Sequence, residues 1–271
     1  MYRPMITSTT NPLIKRLRAL RTRKGRDEAG ASLVEGIRLV AAAAESGAIL
    51  ESIIIAPDRL TSLFARDLIA TQAARDIPIA EVSAAVFESF SGKENPQGIA
   101  AIVRQSWTPL TAIQPENALF WVALRAAQDP GNIGTILRTC DAVGAAGVIF
   151  LDGGADPYDP SAIRASMGAL FALRVARASF ESFAAWVQGG GWQVVGAADH
   201  AAHSYRAYAY PAPLILLMGS EREGLTTEQQ ALCTAMVAIP QVGSVDSLNL
   251  AVATGILLYE IFHQRRTVRI E

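Results

Sequence analysis

Short apolar runs alternate with amphipathic stretches along the second half of the chain. Continuous apolar runs bounded by turn residues are typical of buried strands, whereas apolar residues three and four positions apart predict helices. The runs predict strands near Leu119–Leu124, Val148–Leu151, Leu173–Ala176, Gln193–Ala197, Leu214–Met218 and Met236–Ile239. The intervening stretches predict helices around Ile133–Val143, Ser161–Met167, Phe180–Val187, Thr226–Ala235 and Leu248–Gln264. Strands that are apolar on both faces indicate a parallel sheet covered by helices on each side.

The N-terminal part of the chain shows a similar alternation with shorter elements. The pattern predicts helices over residues 33–44, 58–70 and 84–90 and strands over residues 49–55, 77–82 and 99–103. We therefore expect two α/β domains: a small one at residues 1–105 and a larger one with a parallel sheet at residues 118–271. Residues 106–117, which include Pro109 and Pro115, are predicted to link them.

A basic segment stands out near the N-terminus, because the net charge of the whole chain is only −1. Residues 8–11 offer caps for a helix whose apolar stripe is Leu13, Leu17 and Leu20. Its basic residues are Lys15, Arg16, Arg18, Arg21, Arg23, Lys24 and Arg26. A solvated helix face is one interpretation. No acidic residue precedes Asp27, however, so the pattern favours a surface that contacts phosphate groups.

Composition and missing motifs exclude several classes of protein. With 51% hydrophobic residues the chain can bury a sizeable core, and its two cysteines suggest a reducing, cytoplasmic location. Gly189–Gly191 precedes a predicted strand, so it is not a dinucleotide-binding turn. His200 and His203 lack further ligands nearby, so we expect no metal. Ser247 lacks the G-x-S-x-G setting of a serine hydrolase.

Three loops, each after a predicted strand, carry the remaining candidates for chemistry. The first is Gln128–Thr139, in which Asn132 and Arg138 lie less than two helical turns apart. Because apolar residues flank Arg138 in sequence, we expect it to be partly buried beside an anionic partner. The second loop is Met218–Leu225, where glycines permit close approach of the backbone. The third runs from the strand ending at Ile239 into a largely apolar helix.

In this order the loops resemble the three motifs of SpoU-type (TrmH-like) RNA ribose methyltransferases of the SPOUT superfamily. The first motif, Asn-x-Gly-x-x-x-Arg, matches residues 132–138, and the second, Gly-x-Glu-x-x-Gly, matches residues 219–224. The third matches Ile-Pro-Gln-Val-Gly from residue 239 and Ser-Leu-Asn at 247–249. Glu35-Gly36 and Asn95–Gly98 are similar to the N-terminal domain of many such enzymes, which resembles RNA-binding folds of ribosomal proteins.

The resemblance implies a parallel sheet with a trefoil knot, a homodimer with the site near the subunit interface, and S-adenosylmethionine as cofactor. Main-chain groups at Gly219, Ile239 and Leu248 would bind the cofactor. It also implies methylation of a ribose 2′-hydroxyl in structured RNA, with ribosomal RNA favoured over transfer RNA. The catalytic residues carried over are Arg138, which acts on the hydroxyl, Asn132, which orients it, and Glu221, Ser247 and Asn249, which shape the pocket.

Two questions stay open from the sequence. Arginine is normally too weak an acid to act as a base, so Arg138 either removes the proton or positions the hydroxyl and stabilises its charge. The alternative functions are an RNA-binding module with a degenerate catalytic domain and an unrelated α/β enzyme such as a dehydrogenase. The missing dinucleotide fingerprint disfavours the dehydrogenase.

Overall fold

The computed structural model describes residues 4–115, 120–244 and 247–267, with side chains up to residue 265. Its helices are α1 (Pro12–Ala19), α2 (Arg23–Ala29), α3 (Ile37–Glu45), α4 (Leu63–Ala73), α5 (Ala84–Glu88), α6 (Pro130–Ala142), α7 (Pro160–Ser166), α8 (Ala169–Ala172), α9 (Phe180–Gly190), α10 (Thr227–Leu232) and α11 (Leu250–Thr267). Its strands are β1 (Ala31–Glu35), β2 (Leu50–Ile55), β3 (Ile79–Glu81), β4 (Ile99–Arg104), β5 (Phe120–Arg125), β6 (Gly147–Leu151), β7 (Arg174–Ala178), β8 (Gln193–Ala197), β9 (His203–Ser204), β10 (Leu214–Met218) and β11 (Ala235–Ala238).

The chain divides into two compact units. The first consists of Met1–Ser106 and Tyr158–Ala172, and the second of Trp107–Pro157 and Leu173–Glu271. The sequence placed residues 158–172 in the second domain. In the structure α7 packs against β1 and α8 packs against α3, so this segment lies with the first unit.

The first unit is built on a mixed sheet with the strand order β1–β4–β2–β3. Strand β4 pairs antiparallel with β1 and β2, and β2 pairs parallel with β3. Asn11 caps α1 as the sequence predicts, since its side chain accepts a hydrogen bond from Leu13 N at 2.9 Å. The apolar residues of α1, Ile14 and Leu17, are fully buried in the core of this unit.

The helix predicted over residues 33–44 is wrong in its first part. Ala31–Glu35 is a strand with every residue buried, and helix α3 begins only at Ile37. Gly36, at a φ of +108°, separates the two elements. A glycine adopts this conformation without the steric cost that other residues meet, so the chain changes from strand to helix there. The helix predicted over 58–70 also begins later, at Leu63, because Ser62 caps it.

The second unit contains a sheet with the strand order β7–β6–β5–β10–β8–β11–β9. All pairings among its described strands are parallel, which confirms the predicted sheet. The bounds of β8 and β10 match the prediction residue for residue. One face packs in a core that includes Trp121, Ile149 and Phe183, all fully buried. Within the described residues, no helix is both long and apolar enough to cross a lipid bilayer.

Candidate functional site

The three predicted loops all follow the carboxyl ends of strands in the parallel sheet. The first follows β5, the second follows β10 and the third follows β11. Because the strands are parallel, these ends lie at one edge of the sheet, where ligands of open α/β sheets bind. A cleft of about 400 Å³ opens at this edge. Its lining includes the second loop, the third loop and the residues that follow β8.

Two glycines form the narrow turn of the second loop. A Cβ on Gly219 would lie 2.1 Å from the carbonyl carbon of Gly224, so no larger residue fits there without displacing the backbone. Gly224 has a φ of +61°, and Ser220 and Gly224 exchange two backbone hydrogen bonds. Gly219 lines the cleft, and no side chain covers its backbone. A ligand can therefore approach its main-chain atoms closely.

A chain of side-chain hydrogen bonds joins the three loops. Asn249 Nδ2 donates to Asn132 Oδ1 at 3.0 Å, and Asn132 Nδ2 donates to Glu221 Oε1 at 3.3 Å. The other carboxylate oxygen of Glu221 accepts from Gln128 N at 3.3 Å. Residues that lie 117 and 89 positions apart in the chain are thus joined to Glu221, which lines the cleft.

The groups at the two ends of this hydrogen-bonded chain determine how the amide side chains of Asn249 and Asn132 are oriented. Asn249 Oδ1 accepts from Ala251 N at 2.9 Å and Val252 N at 3.3 Å, so it caps α11 and leaves Nδ2 to donate. At the other end, both carboxylate oxygens of Glu221 accept hydrogen bonds. Asn132 must therefore turn its oxygen towards Asn249 and its nitrogen towards Glu221.

Asp129 sets the position of Asn132. Its carboxylate caps α6 by accepting from Gly131 N at 2.6 Å and from Asn132 N at 3.4 Å, and Pro130 begins the helix. Proline at the first helical position has the required φ and no N–H to leave unpaired. The helix therefore begins at a defined residue, and Asn132 lies in its first turn.

Arg138 lies on α6 but not where the sequence analysis expected. Its side chain is exposed, so the predicted partial burial is wrong. The reason is helix geometry: the buried residues Ile136, Leu137 and Cys140 face the core, and Arg138 projects from the opposite side. Arg138 is also not among the described residues that line the cleft of its own chain.

Five of the other predicted residues border the cleft together with residues that the sequence did not single out, whereas Asn132 and Asn249 are not among the described residues that line it. Gly219, Glu221, Ile239, Ser247 and Leu248 all line it, and residues 245–246 of the third loop lie outside the described part. The missed residues are Asp199, Arg222 and Gln241. Asp199 lies two residues after the end of strand β8, so its position after a largely apolar strand was a usable signal.

The cleft fits an elongated polar cofactor such as S-adenosylmethionine. Its volume lies within the range that is usual for small-molecule sites. Gln241 lines it with a buried Oε1 atom that accepts no hydrogen bond from the described residues, so a ligand donor can satisfy it. The backbone of Gly219, which no side chain covers, offers main-chain groups in the same cleft. No group of His, Cys, Asp or Glu within the described ranges has the arrangement of a metal site.

Neither cysteine is placed for nucleophilic chemistry. Burial raises the pKa of the Cys233 thiol to about 12, and burial also raises the pKa of Cys140, which is fully buried. Both thiols therefore stay protonated near neutral pH and act as small apolar side chains.

Most of the basic residues near the N-terminus make contacts within the first unit. Arg16 pairs with Glu51, while Arg23 and Lys24 pair with the acidic residues four positions later. Arg18 donates to the carbonyls of Thr9 and Ser89, Arg21 to those of Phe90 and Ser91, and Lys15 is exposed.

The predicted phosphate contact of Arg26 is wrong. Arg26 is 1% exposed, its Nη1 donates to two backbone carbonyls, and its Nη2 lies 3.2 Å from Asp159. A buried and paired guanidinium cannot reach an RNA phosphate, so Arg26 belongs to the interior of the first unit and not to an RNA-binding surface.

The fold and the cleft define an α/β protein that binds a ligand at the carboxyl edge of a parallel sheet, with a separate N-terminal unit. The family model described as SpoU rRNA Methylase matches residues 120–259, and the one described as MRM3-like substrate binding domain matches residues 11–101. The chain therefore belongs to the SpoU rRNA Methylase family, which confirms the resemblance drawn from the three motifs.

Individual relatives extend over nearly the whole chain. A 23S rRNA (uridine(2479)-2′-O)-methyltransferase of Streptomyces viridochromogenes is 34% identical, and the match covers 91% of this chain and 87% of that protein. The 23S rRNA (guanosine(2553)-2′-O)-methyltransferase RlmP of Bacillus subtilis is 28% identical over 94% of this chain and 98% of that protein. The crystal structure of an AdoMet-bound rRNA methyltransferase from Sinorhizobium meliloti has 38% identity and a TM-score of 0.88, covering 96% of this chain and 97% of that one.

Proposed function

We propose that this protein methylates a ribose 2′-hydroxyl of structured RNA with S-adenosylmethionine, and that its substrate is ribosomal RNA. The observation that carries the proposal is the hydrogen-bonded chain Asn249–Asn132–Glu221 at the edge of a cleft suited to the cofactor. Relatives named as 2′-O-methyltransferases of 23S rRNA, which match nearly the full length, support the substrate.

The residues of the cleft bind and orient the reactants. When bound, S-adenosylmethionine supplies a methyl group that is already electrophilic. Main-chain groups at Gly219, Ile239 and Leu248 would hold the cofactor in the cleft. The amides of Asn132 and Asn249 and the carboxylate of Glu221 would hold and orient the ribose beside it. Positioning of this kind lowers the barrier because it replaces a random encounter by an oriented one.

Arg138 positions the hydroxyl and stabilises the negative charge that develops on its oxygen, while the hydroxyl proton passes to a solvent water molecule or a phosphate oxygen of the RNA. A guanidinium suits this role better than proton removal, because it stays charged in nearly every protein environment. Its exposure on α6 means that it meets the ribose from outside the cleft of its own chain. We therefore assign Arg138 to a site that a second subunit completes.

A homodimer through α6 and α11 is consistent with the surface of the second unit. The two helices pack together, and Cβ of a side chain at Gly255 would lie 3.9 Å from Thr139 Cγ2. Val252 and Tyr259 of α11 are 51% and 54% exposed, which is high for large apolar residues. A second copy packed there would bury these side chains and bring Arg138 to the partner's cleft.

The trefoil knot and the ribosomal-protein likeness of the first unit are also part of the proposal. Strand β10 lies between β5 and β8, and α11 returns after β11 to pack on α6. This order supports a C-terminal segment threaded through an earlier loop. The match of residues 11–101 to a substrate-binding domain supports an RNA-binding role for the first unit.

Titration calorimetry with S-adenosylmethionine, followed by a methylation assay with a tritium-labelled methyl donor, tests the function. Ribosomal RNA from cells that lack the gene is the substrate, and rRNA from cells that carry it is the matched control. We expect label at a ribose of the first RNA and little in the second. Absence of heat at high micromolar cofactor, or label in transfer RNA alone, would contradict the proposal. If the protein binds RNA but does not bind the cofactor, the result favours an RNA-binding module with a degenerate catalytic domain.

A further inference from the structure

A second cavity, of about 200 Å³, lies within the first unit, and none of the catalytic or cofactor residues above lines it. It opens between the end of α1, the loop after α5 and the start of α7. Its lining includes Arg21, Leu33, Glu35, Gly92, Asp159 and Arg164. Arg164 comes from the segment that the later part of the chain contributes to this unit.

Two arginines converge on one point of this cavity. A Cβ on Gly92 would lie 3.4 Å from Arg21 Nη2 and 3.8 Å from Arg164 Nη1, so both guanidinium groups border the space that a side chain would occupy there. Both arginines are exposed. Guanidinium groups of the same charge repel each other, so an anion bound between them is attracted by both. The glycine leaves room for such an anion.

The carboxylates of the cavity are already engaged by other groups. Glu35 accepts hydrogen bonds from Ser91 Oγ and from Gly92 N at 3.0 Å. Asp159 accepts from Ser161 N at 2.8 Å and pairs with the buried Arg26. Neither carboxylate forms a salt bridge with Arg21 or Arg164, the two arginines that border Gly92.

The hydrogen bonds of the two arginines leave donors for a ligand. Arg21 uses Nη1 for the carbonyls of Phe90 and Ser91, which fixes its side chain and leaves Nη2 beside Gly92. Arg164 uses Nη2 for Ser161 Oγ, which leaves Nη1 beside the same point. Paired guanidinium donors in a fixed arrangement match the oxygens of a phosphate.

The geometry points to a phosphate-binding site in which Arg21 and Arg164 together hold one backbone phosphate of the RNA substrate. The inference rests on the proposed function, and it adds Arg164, which lies outside the basic N-terminal segment. Free inorganic phosphate presents the same oxygens, so the test must separate the two sources. RNA is the ligand to which we commit, because the family match of this unit is to a substrate-binding domain.

Salt-dependent binding of a fluorescein-labelled RNA hairpin tests the site. We expect Arg164→Gln to weaken binding roughly tenfold, about 1.4 kcal/mol, because a charge-assisted contact is lost. The double variant Arg21→Gln/Arg164→Gln should lower the log–log salt slope by about 0.7–0.9, the value for one phosphate. Arg66→Gln, an exposed arginine on α4 of the same unit, is the matched control and should leave both quantities unchanged.

The outcomes separate this site from its alternatives. If the double variant keeps the wild-type salt slope, or if its slope falls by twice the expected amount, the two arginines do not share one phosphate and the inference is wrong. Thermal unfolding checks the fold, and if the double variant does not fold, Arg164→Glu alone must lower both affinity and slope. If inorganic phosphate stabilises the wild type but not Arg164→Gln while the RNA slopes stay equal, the site takes free phosphate and the inference is wrong.

Failure of the proposed function gives a different result. If the wild type methylates RNA, and Arg164→Gln binds RNA with the same affinity and salt slope as the wild type, only the inferred phosphate site is wrong. If the wild type neither binds nor methylates RNA, both proposals fall together.

Discussion

Replacing Asn249 separates its two roles, the capping of α11 and the bond to Asn132. In Asn249→Ala both are lost, because the caps of Ala251 N and Val252 N come from the same side chain. In Asn249→Ser the hydroxyl caps the helix, but it is too short to replace the amide donor. Loss of a cap costs about 1 kcal/mol. For a domain of 150–250 residues this lowers the melting temperature by roughly 2–4 °C.

Methyl transfer should respond differently from stability. Both variants lose the 3.0 Å bond that orients Asn132, so we expect both to lose activity by about a hundredfold, the typical cost of small misplacement at a reacting centre. Differential scanning calorimetry gives the stability, and single-turnover methylation at saturating cofactor gives the rate. If Asn249→Ser recovers activity together with stability, Asn249 is only a helix cap and the hydrogen-bonded chain has no part in catalysis.

Three further variants test other parts of the molecule. Arg138→Ala should abolish methyl transfer while calorimetry shows unchanged cofactor affinity; near-normal turnover would remove Arg138 from the mechanism. Gly219→Ala should weaken cofactor binding severely, because its Cβ would collide with Gly224, whereas Gly189→Ala, with open space around it, should bind normally. Burial alone would raise the pKa of Glu51, but hydrogen bonds and charges from two arginines outweigh it and lower that pKa. Its stabilising effect over Glu51→Gln should therefore be full above about pH 4.3 and shrink as the pH falls further, which acid-unfolding curves can check.

The sheet of the second unit and its loops could be predicted because their signals are local. Strand β10 is a continuous apolar run and β8 is largely apolar, and the strands of the parallel sheet end in loops at the same sheet edge. What local patterns could not give is which loops touch. The bond between Asn249 and Asn132 spans 117 residues, and only the strand order brings them together.

Two errors came from reading neighbours in sequence as neighbours in space. Residues 33–44 carry helical spacing, but Gly36 divides them into a strand and a helix. Arg138 follows two buried residues, yet each helical residue turns by about 100°, so it faces away from them. For Arg138, the helical periodicity correctly predicts exposure, whereas the apolar composition of the flanking residues wrongly predicts burial.

The basic N-terminal segment shows why charge density alone does not define an RNA surface. The sequence gives its charges no acidic partners before Asp27, but the fold supplies Glu51 to Arg16 and Asp159 to Arg26. Asp159 lies 133 residues away, so no local pattern could have revealed the pair. The cations available for phosphate are those that the fold leaves without a carboxylate and holds at an open cavity. Arg21 meets this condition, and the fold brings Arg164, from a distant part of the chain, to the same cavity.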